Sequence, residues 1–240
     1  MNKLKALFYP DVDFETLFIP HIYREVYLDR IYADVFKDKQ PGSMIIIDVG
    51  ANIGIVTQYM QPFAKKLYAI EPSGEHFEAL AKNKEFNNWD NVELFKLALA
   101  DKDGEMDLAQ NTQNRTTHSL MVSNRHDRGT GKLILYDGIS NRPMISIRGY
   151  DIKAKVPTKS FDHFFEENNI KHVDFVKFDT EGAEDLILRS DGFRKIAHLI
   201  DAIEVEFHFK TWMGLVEYLT QFGFKTKRLE SNARVVLFFR

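Results

Sequence analysis

Residues 44–60 read MIIIDVGANIGIVTQYM, and this stretch decides the fold. Residues 45–49 form the kind of run expected of a strand covered on both faces. Gly50 and Gly54 then mark a turn, and residues 53–60 carry a helical pattern with Pro62 at its end. A buried strand running through glycines into a helix is how α/β proteins usually hold a nucleotide. The spacing narrows which one. A dinucleotide loop, G-x-G-x-x-G, started at Gly50 would need glycine at positions 52 and 55, where the chain has Asn52 and Ile55. A phosphate-cradling loop would need Gly-Lys-Ser/Thr, which is also missing. What remains is D-x-G-x-x-x-G over Asp48, Gly50 and Gly54. Such a turn lets backbone approach an uncharged part of a ligand, while Asp48 either bonds a ligand ammonium or braces the loop.

A second strand over 66–71 ends at Glu71-Pro72, 23 positions after Asp48. A carboxylate there can accept both hydroxyls of a ribose, each such bond contributing roughly 1.5–3 kcal/mol. The same position serves in nicotinamide enzymes, so Glu71 alone does not separate the cofactors. An acid here also complements the dipole of the following helix. Ser73 is the expected N-cap of that helix. Phe77, Leu80 and Ala81 lie on one of its faces, and Asn83, Asn87 and Asn88 form a polar C-terminal end. Residues 92–97 read as a third strand. An adenine would lie against the ALADKDG turn that follows, contacting backbone at Leu97 and Ala98; Asp101 is also explained as a turn residue.

Outward from this unit, residues 1–43 form an N-terminal extension rich in aromatics. Within it Leu28, Ile31, Tyr32, Val35 and Phe36 fall at helical spacing, which predicts a helix over 29–37 ended by Pro41-Gly42. Residues 104–156 differ: short alternating runs are separated by polar, Gly-rich stretches, which predicts an antiparallel or lid-like insertion. Then come a helix (160–169), a fourth strand (174–179), a helix (183–190), a fifth strand (201–208), a helix (211–222) and two strands (224–229, 235–239). No helix separates the last two, so they should form an antiparallel hairpin. The whole predicts one α/β domain: a seven-stranded, mostly parallel, Rossmann-like sheet with helices on both faces. Ligands in such sheets sit at the C-terminal ends of the strands.

Candidate chemistry gathers there. Lys177, Asp179 and Glu181 sit at i, i+2 and i+4, on one face if the strand persists that far. Asp179 would then stand at the strand tip. A lysine in an apolar strand two residues from an acid is expensive to bury, which argues for a working role, although a structural Lys177–Asp179 pair also accounts for it. Glu184 and Asp185 are ordinary acids for a first helical turn. In the fifth strand Glu204, Glu206 and His208 share a face. His208 can take a proton at neutral pH, and Glu206 can orient it or act as the base itself. The plain alternative is an edge strand with a solvated face. Asp179, Glu206 and His208 are ligand types for a metal, but no tight motif such as H-E-x-x-H accompanies them, and no metal is expected.

Composition excludes other classes. The chain has 240 residues, a net charge of −3 and no cysteine, so no disulfide framework or thiol nucleophile is available and no overall basic footprint for nucleic acid is visible. No apolar run approaches the ~18 residues of a membrane span, and the N-terminal apolar stretch is too short for a secretory signal. A cytoplasmic location is the expectation.

The stretches IIIDVGANIG, YAIEPSGEHFEALAKN, LALADKDG, SFDHFF, FVKFDTEGAEDLIL and AIEVEFH together resemble the FkbM family of S-adenosylmethionine-dependent methyltransferases, across roughly residues 44–208. The paired DVGANIG and KFDTEGAE motifs carry most of the resemblance. It implies S-adenosyl-L-methionine as cofactor, contacted at Gly50, Asn52 and Glu71, and O-methylation of a hydroxyl on a small molecule or glycan. It places KFDTEGAE and EVEFH on the acceptor side, with Asp179 the first choice of base, Glu206 and His208 its rivals and Lys177 orienting. Glu181, and Ser119 in the insertion's His118-Ser119-Leu120, are the expected substrate contacts. His118, Arg125, His126 and Arg128 suit an anionic acceptor or a solvated loop. A non-catalytic adenosyl-binding or partner-binding domain and a nicotinamide oxidoreductase are the alternative readings.

Overall fold

In a computed structural model the described residues are 22–111, 118–120, 126–127, 132–136, 143–148, 150–207, 212–228 and 234–240; side chains are described outside 109–153 and 212–213. In chain order the strands are β1 (Met44–Val49), β2 (Ala64–Ile70), β3 (Val92–Phe95), β4 (Ala98–Ala100), β5 (Gly104–Asn111), β6 (His118–Leu120) and β7 (His126–Asp127). There follow β8 (Lys132–Tyr136), β9 (Pro143–Arg148), β10 (Tyr150–Ser160), β11 (Phe175–Phe178), β12 (Ala202–Glu206), β13 (Lys225–Arg228) and β14 (Val235–Phe239). The helices are α1 (Ala33–Phe36), α2 (Ile55–Met60), α3 (Gly74–Asn87), α4 (Phe161–Glu167), α5 (Glu184–Leu188), α6 (Asp191–Ile196) and α7 (Trp212–Thr220).

The seven-stranded sheet has the order β13-β14-β12-β11-β1-β2-β3. Strands β1, β2, β3, β11 and β12 are mutually parallel. β14 runs antiparallel to both β12 and β13. The expected fold class and C-terminal hairpin are thus present, with the last strand slotted inside the hairpin's first. This is the Rossmann-like, mostly parallel arrangement expected from the sequence.

Alternation along β1 divides the core. Ile47 and Val49 face one side, where Val176, Phe178, Ile203 and Val205 meet Phe161, Phe193 and Ile187 of the helices. Ile46 faces the other, with Leu67 and Phe175 under Tyr32, Phe36, Met60, Leu80 and Trp89. Each fully buried phenylalanine contributes roughly 1.5–3 kcal/mol. Residues 26–36 therefore cover part of one sheet face: Phe36 packs edge-on against Phe175 of β11 at 5.4 Å.

Boundaries moved in informative places. The helix expected over 29–37 is reduced to α1, preceded by a π-helical turn (Arg24–Leu28). The third strand stops at Phe95 because β4 leaves to pair with β10 in a second sheet of order β4-β10-β5-β6. The antiparallel pattern read over 104–156 is present as β10 against β5 and β8 against β9, and β10 continues to Ser160. In α3 the buried stripe is His76, Leu80 and Asn83, not Phe77 and Ala81. Ser73 caps it as expected, accepting from the His76 amide, and Asn88 ends it in a left-handed conformation.

Candidate functional site

β1 and β11 are neighbours, so the loops leaving their C-terminal ends come together. Gly50 has φ +79°, and a Cβ built on it would lie 1.8 Å from the Asp179 carbonyl oxygen. Both conformation and space demand glycine there. Asn52, also left-handed at φ 54°, donates its amide hydrogen to Glu71 Oε2 at 2.9 Å, while its own Oδ1 accepts from the Ile53 amide at 2.8 Å. The Ser73 amide donates to Glu71 Oε1 at 2.8 Å. The loop after β1 and the acid after β2 are thus one unit. Burial pushes the Glu71 carboxyl up to about 7, against the two amides that hold it down.

These groups line a cleft at the C-terminal ends of the strands. Gly50, Asn52, Glu71, Ala98, Asp179 and Glu181, all expected from sequence, line it. Pro72, His76, Leu99, Leu108 and Thr180 line it as well and were not anticipated. His76 had a legible signal: it sits in the first turn behind Ser73, and its Nδ1 lies 4.0 Å from Glu71 Oε1. Leu108 had none, because β5 reaches the cleft only through its pairing with β10.

Other expected residues stand behind the cleft. Asp48 is fully buried; its Oδ2 accepts from the Thr57 hydroxyl at 2.7 Å, and Oδ1 pairs with Lys177 Nζ at 3.3 Å. Of its two expected roles, Asp48 takes that of bracing the loop rather than facing a ligand. Gly54 is also withdrawn: its φ is +95°, and a Cβ there would meet Leu80 Cδ1 at 2.7 Å and Trp89 at 3.0 Å. Helix packing, not ligand approach, requires this glycine. Asn83 is not a helix end-cap; it is buried and donates to the Ile53 carbonyl at 2.7 Å, tying α3 to the glycine loop.

Lys177 is buried and spans the two sides. Its Nζ donates to the Gly50 carbonyl at 3.0 Å and lies 3.6 Å from Asp179 Oδ2. Burial pulls its pKa down, but Asp48, Asp179 and Glu204 outweigh that and raise it, so the ammonium stays charged. Lys177 and Asp179 share a face, but the strand does not persist to Glu181. β11 ends at Phe178, and Glu181 turns left-handed at φ 55° before Gly182 at φ 113°. A left-handed non-glycine residue costs of order 1–3 kcal/mol, held here by Glu184. Glu184 Oε1 accepts from the Thr180 amide at 2.9 Å, the Thr180 hydroxyl at 3.0 Å and the Gly182 amide at 3.2 Å. Glu184 is therefore the buckle of this turn rather than a plain dipole complement; Asp185 pairs with Arg189 at 3.0 Å.

The fifth strand is not an edge. β12 lies between β11 and β14, and Glu204 is buried on it, its Oε1 accepting from the Tyr32 hydroxyl at 3.4 Å. Glu206 is half-buried at the strand end. His208, Arg125 and Arg128 lie outside the described residues, as do the side chains of His118, Ser119 and His126.

Comparison with known proteins agrees with this geometry. Residues 48–226 match the methyltransferase FkbM domain. The chain is 28% identical over 174 residues to "Methyltransferase 1" of Beauveria bassiana (strain ARSEF 2860), covering 71% of this chain and 66% of that protein. It is 26% identical over 180 residues to "Methyltransferase sdnD" of Sordaria araneosa, covering 70% and 67%. The aligned part is thus about two thirds of these relatives' length. Similar solved structures include an rRNA methylase from Streptococcus thermophilus, at 11% identity and TM-score 0.47 over 88% of this chain and 94% of that one. Another is Aeropyrum pernix fibrillarin in complex with natively bound S-adenosyl-L-methionine, at 9% identity and TM-score 0.45, covering 88% and 73%.

Proposed function

Because the chain belongs to the methyltransferase FkbM domain family, we propose that it moves the methyl group of S-adenosylmethionine onto a hydroxyl oxygen of a small molecule or sugar. The family's cofactor supplies a methyl already activated on a sulfonium, so the protein's work is alignment and proton removal. The residues present fit that cofactor. Glu71 offers a carboxylate to the ribose hydroxyls, Gly50 lines the cleft with bare backbone, and Ala98 and Leu99 offer an apolar wall to adenine.

On the other side of Gly50, Asp179 lines the same cleft with part of its carboxylate open to it. This juxtaposition carries the reading: an acid beside the donor loop can take the acceptor hydroxyl's proton at Oδ. Lys177 pairs with Asp179 and aims it. Glu206 is a second candidate base and Glu181 a candidate acceptor contact. We take residues 1–240 as one catalytic unit. Residues 22–36 of its N-terminal extension back the sheet, and its 104–156 insertion flanks the acceptor, an assignment that Leu108 in the cleft wall supports.

The test is methyl transfer from S-adenosylmethionine labelled in the methyl carbon to a panel of sugars, polyols and phenols. Products are assigned by NMR. A methyl ether is the expected product; label on nitrogen, carbon or RNA would sink the reading.

A further inference from the structure

Behind the loop, three adjacent strands set Asp48, Lys177 and Glu204 side by side, Asp48 opposite Lys177 and Lys177 opposite Glu204. All three are buried. Three oxygens surround the Lys177 ammonium: Gly50 O accepts its hydrogen bond at 3.0 Å, and Asp48 Oδ1 at 3.3 Å and Asp179 Oδ2 at 3.6 Å are ion-pair contacts. Glu204 is not among these contacts. Its Oε1 has the Tyr32 hydroxyl at a long 3.4 Å, and its Oε2 has no hydrogen-bond partner among the described residues.

The surroundings disfavour a charge. Asp48, Asp179 and Glu206 add negative potential, Lys177 is the nearby cation, Tyr32 is the neutral hydroxyl above, and β14 opposes Glu204 with Leu237. A buried carboxylate with one weak donor is far costlier than the neutral acid.

We infer that Glu204 is a positioning residue that carries a proton at neutral pH, and that its neutrality keeps Lys177 committed to both the Gly50 carbonyl and Asp179. The row then joins the donor loop to the acceptor side through one ammonium. Burial is also the leading cause that pushes the Glu204 carboxyl up to about 8. When that proton leaves, a new carboxylate competes for Lys177 and the loop loses its tether. Tyr32 brings the N-terminal segment, outside the family match at 48–226, into the arrangement.

The inference rests on reading the Gly50 loop as the donor site, and the test separates the two. S-adenosylhomocysteine binding to the full chain is followed by calorimetry from about pH 6 to about pH 10 for wild type, Glu204→Gln and Tyr32→Phe. Wild-type affinity should fall about fivefold or more on the alkaline side. Glu204→Gln, a permanently neutral mimic, should stay level on that alkaline side. Tyr32→Phe, which removes a donor to the carboxylate, should displace the fall to higher pH. Infrared spectra at neutral pH should show a protonated carboxyl band in wild type that Glu204→Gln lacks. An alkaline fall retained in Glu204→Gln, one unmoved in Tyr32→Phe, or no such band in wild type would overturn the inference. If wild type bound no S-adenosylhomocysteine at any pH, the donor-site reading would fail, and the infrared band alone would decide the state of Glu204.

Discussion

The Asp179 carbonyl oxygen occupies the place where Gly50 would carry a side chain: a Cβ there would lie 1.8 Å from it. Two strand ends are closed on each other with no room for a methyl group. Gly50→Ala combines a positive φ with overlap of backbone, and should cost about 3 kcal/mol or more. A urea titration should show that loss, with S-adenosylhomocysteine binding abolished in calorimetry.

Glu71 should control cofactor affinity and its pH dependence. Two bonds to ribose at roughly 1.5–3 kcal/mol each make a loss of at least about 100-fold on Glu71→Ala a fair expectation. With its carboxyl near pH 7, the ligand-free protein is protonated below that value and offers one acceptor fewer. Affinity should therefore fall as pH drops below about 7, by up to about tenfold per pH unit, and Glu71→Gln should lack that fall.

Lys177→Met should leave Asp48 buried without its counter-ion. Breaking a buried pair by removing one partner costs about 3–5 kcal/mol. Chemical denaturation should register that loss, and a smaller effect would mean the row relaxes by taking up protons.

Asp179→Asn keeps the shape of the side chain and removes the base. Turnover on the true acceptor should drop about 10²–10⁴-fold with S-adenosylhomocysteine affinity little changed. A parallel loss of affinity would instead assign Asp179 to cofactor binding.

Stability should respond to Glu204 with a defined sign. Between the ordinary carboxyl range and about pH 8 the folded chain holds a proton that the unfolded chain does not. Stability therefore declines as pH rises through that window and levels off above it. Glu204→Gln should flatten this decline, gaining roughly 1–3 kcal/mol near pH 8, which a melting-temperature series across pH would show as a rise of several degrees. Glu71, shifted in the same direction, keeps part of the slope.

What the sequence disclosed and what it withheld divide along physical lines. Strand–helix alternation, the glycine spacing and Glu71 are local patterns, and they led to the sheet and to one wall of the cleft. Asp48 and Gly54 were legible as special positions, but the sequence left two roles open for Asp48 and did not show what packs against Gly54. Their neighbours, Lys177 and the Leu80–Trp89 pair, lie far along the chain and enter only through packing. The Tyr32–Glu204 bond spans 172 positions and has no local signature. Glu181 was placed by extending a period-two pattern two steps past the end of β11, where the backbone turns left-handed instead.

Trp89 is 2% exposed, its ring lies under Gly54, and its Nε1 donates to Gln58 of α2 at 3.0 Å. The chain has one other tryptophan, Trp212. Nature has thus placed a fluorophore directly against the underside of the glycine turn. In a Trp212→Phe background its emission becomes an unlabelled optical gauge of that turn, able to follow the arrival of a nucleoside in a stopped-flow cuvette before any acceptor is known.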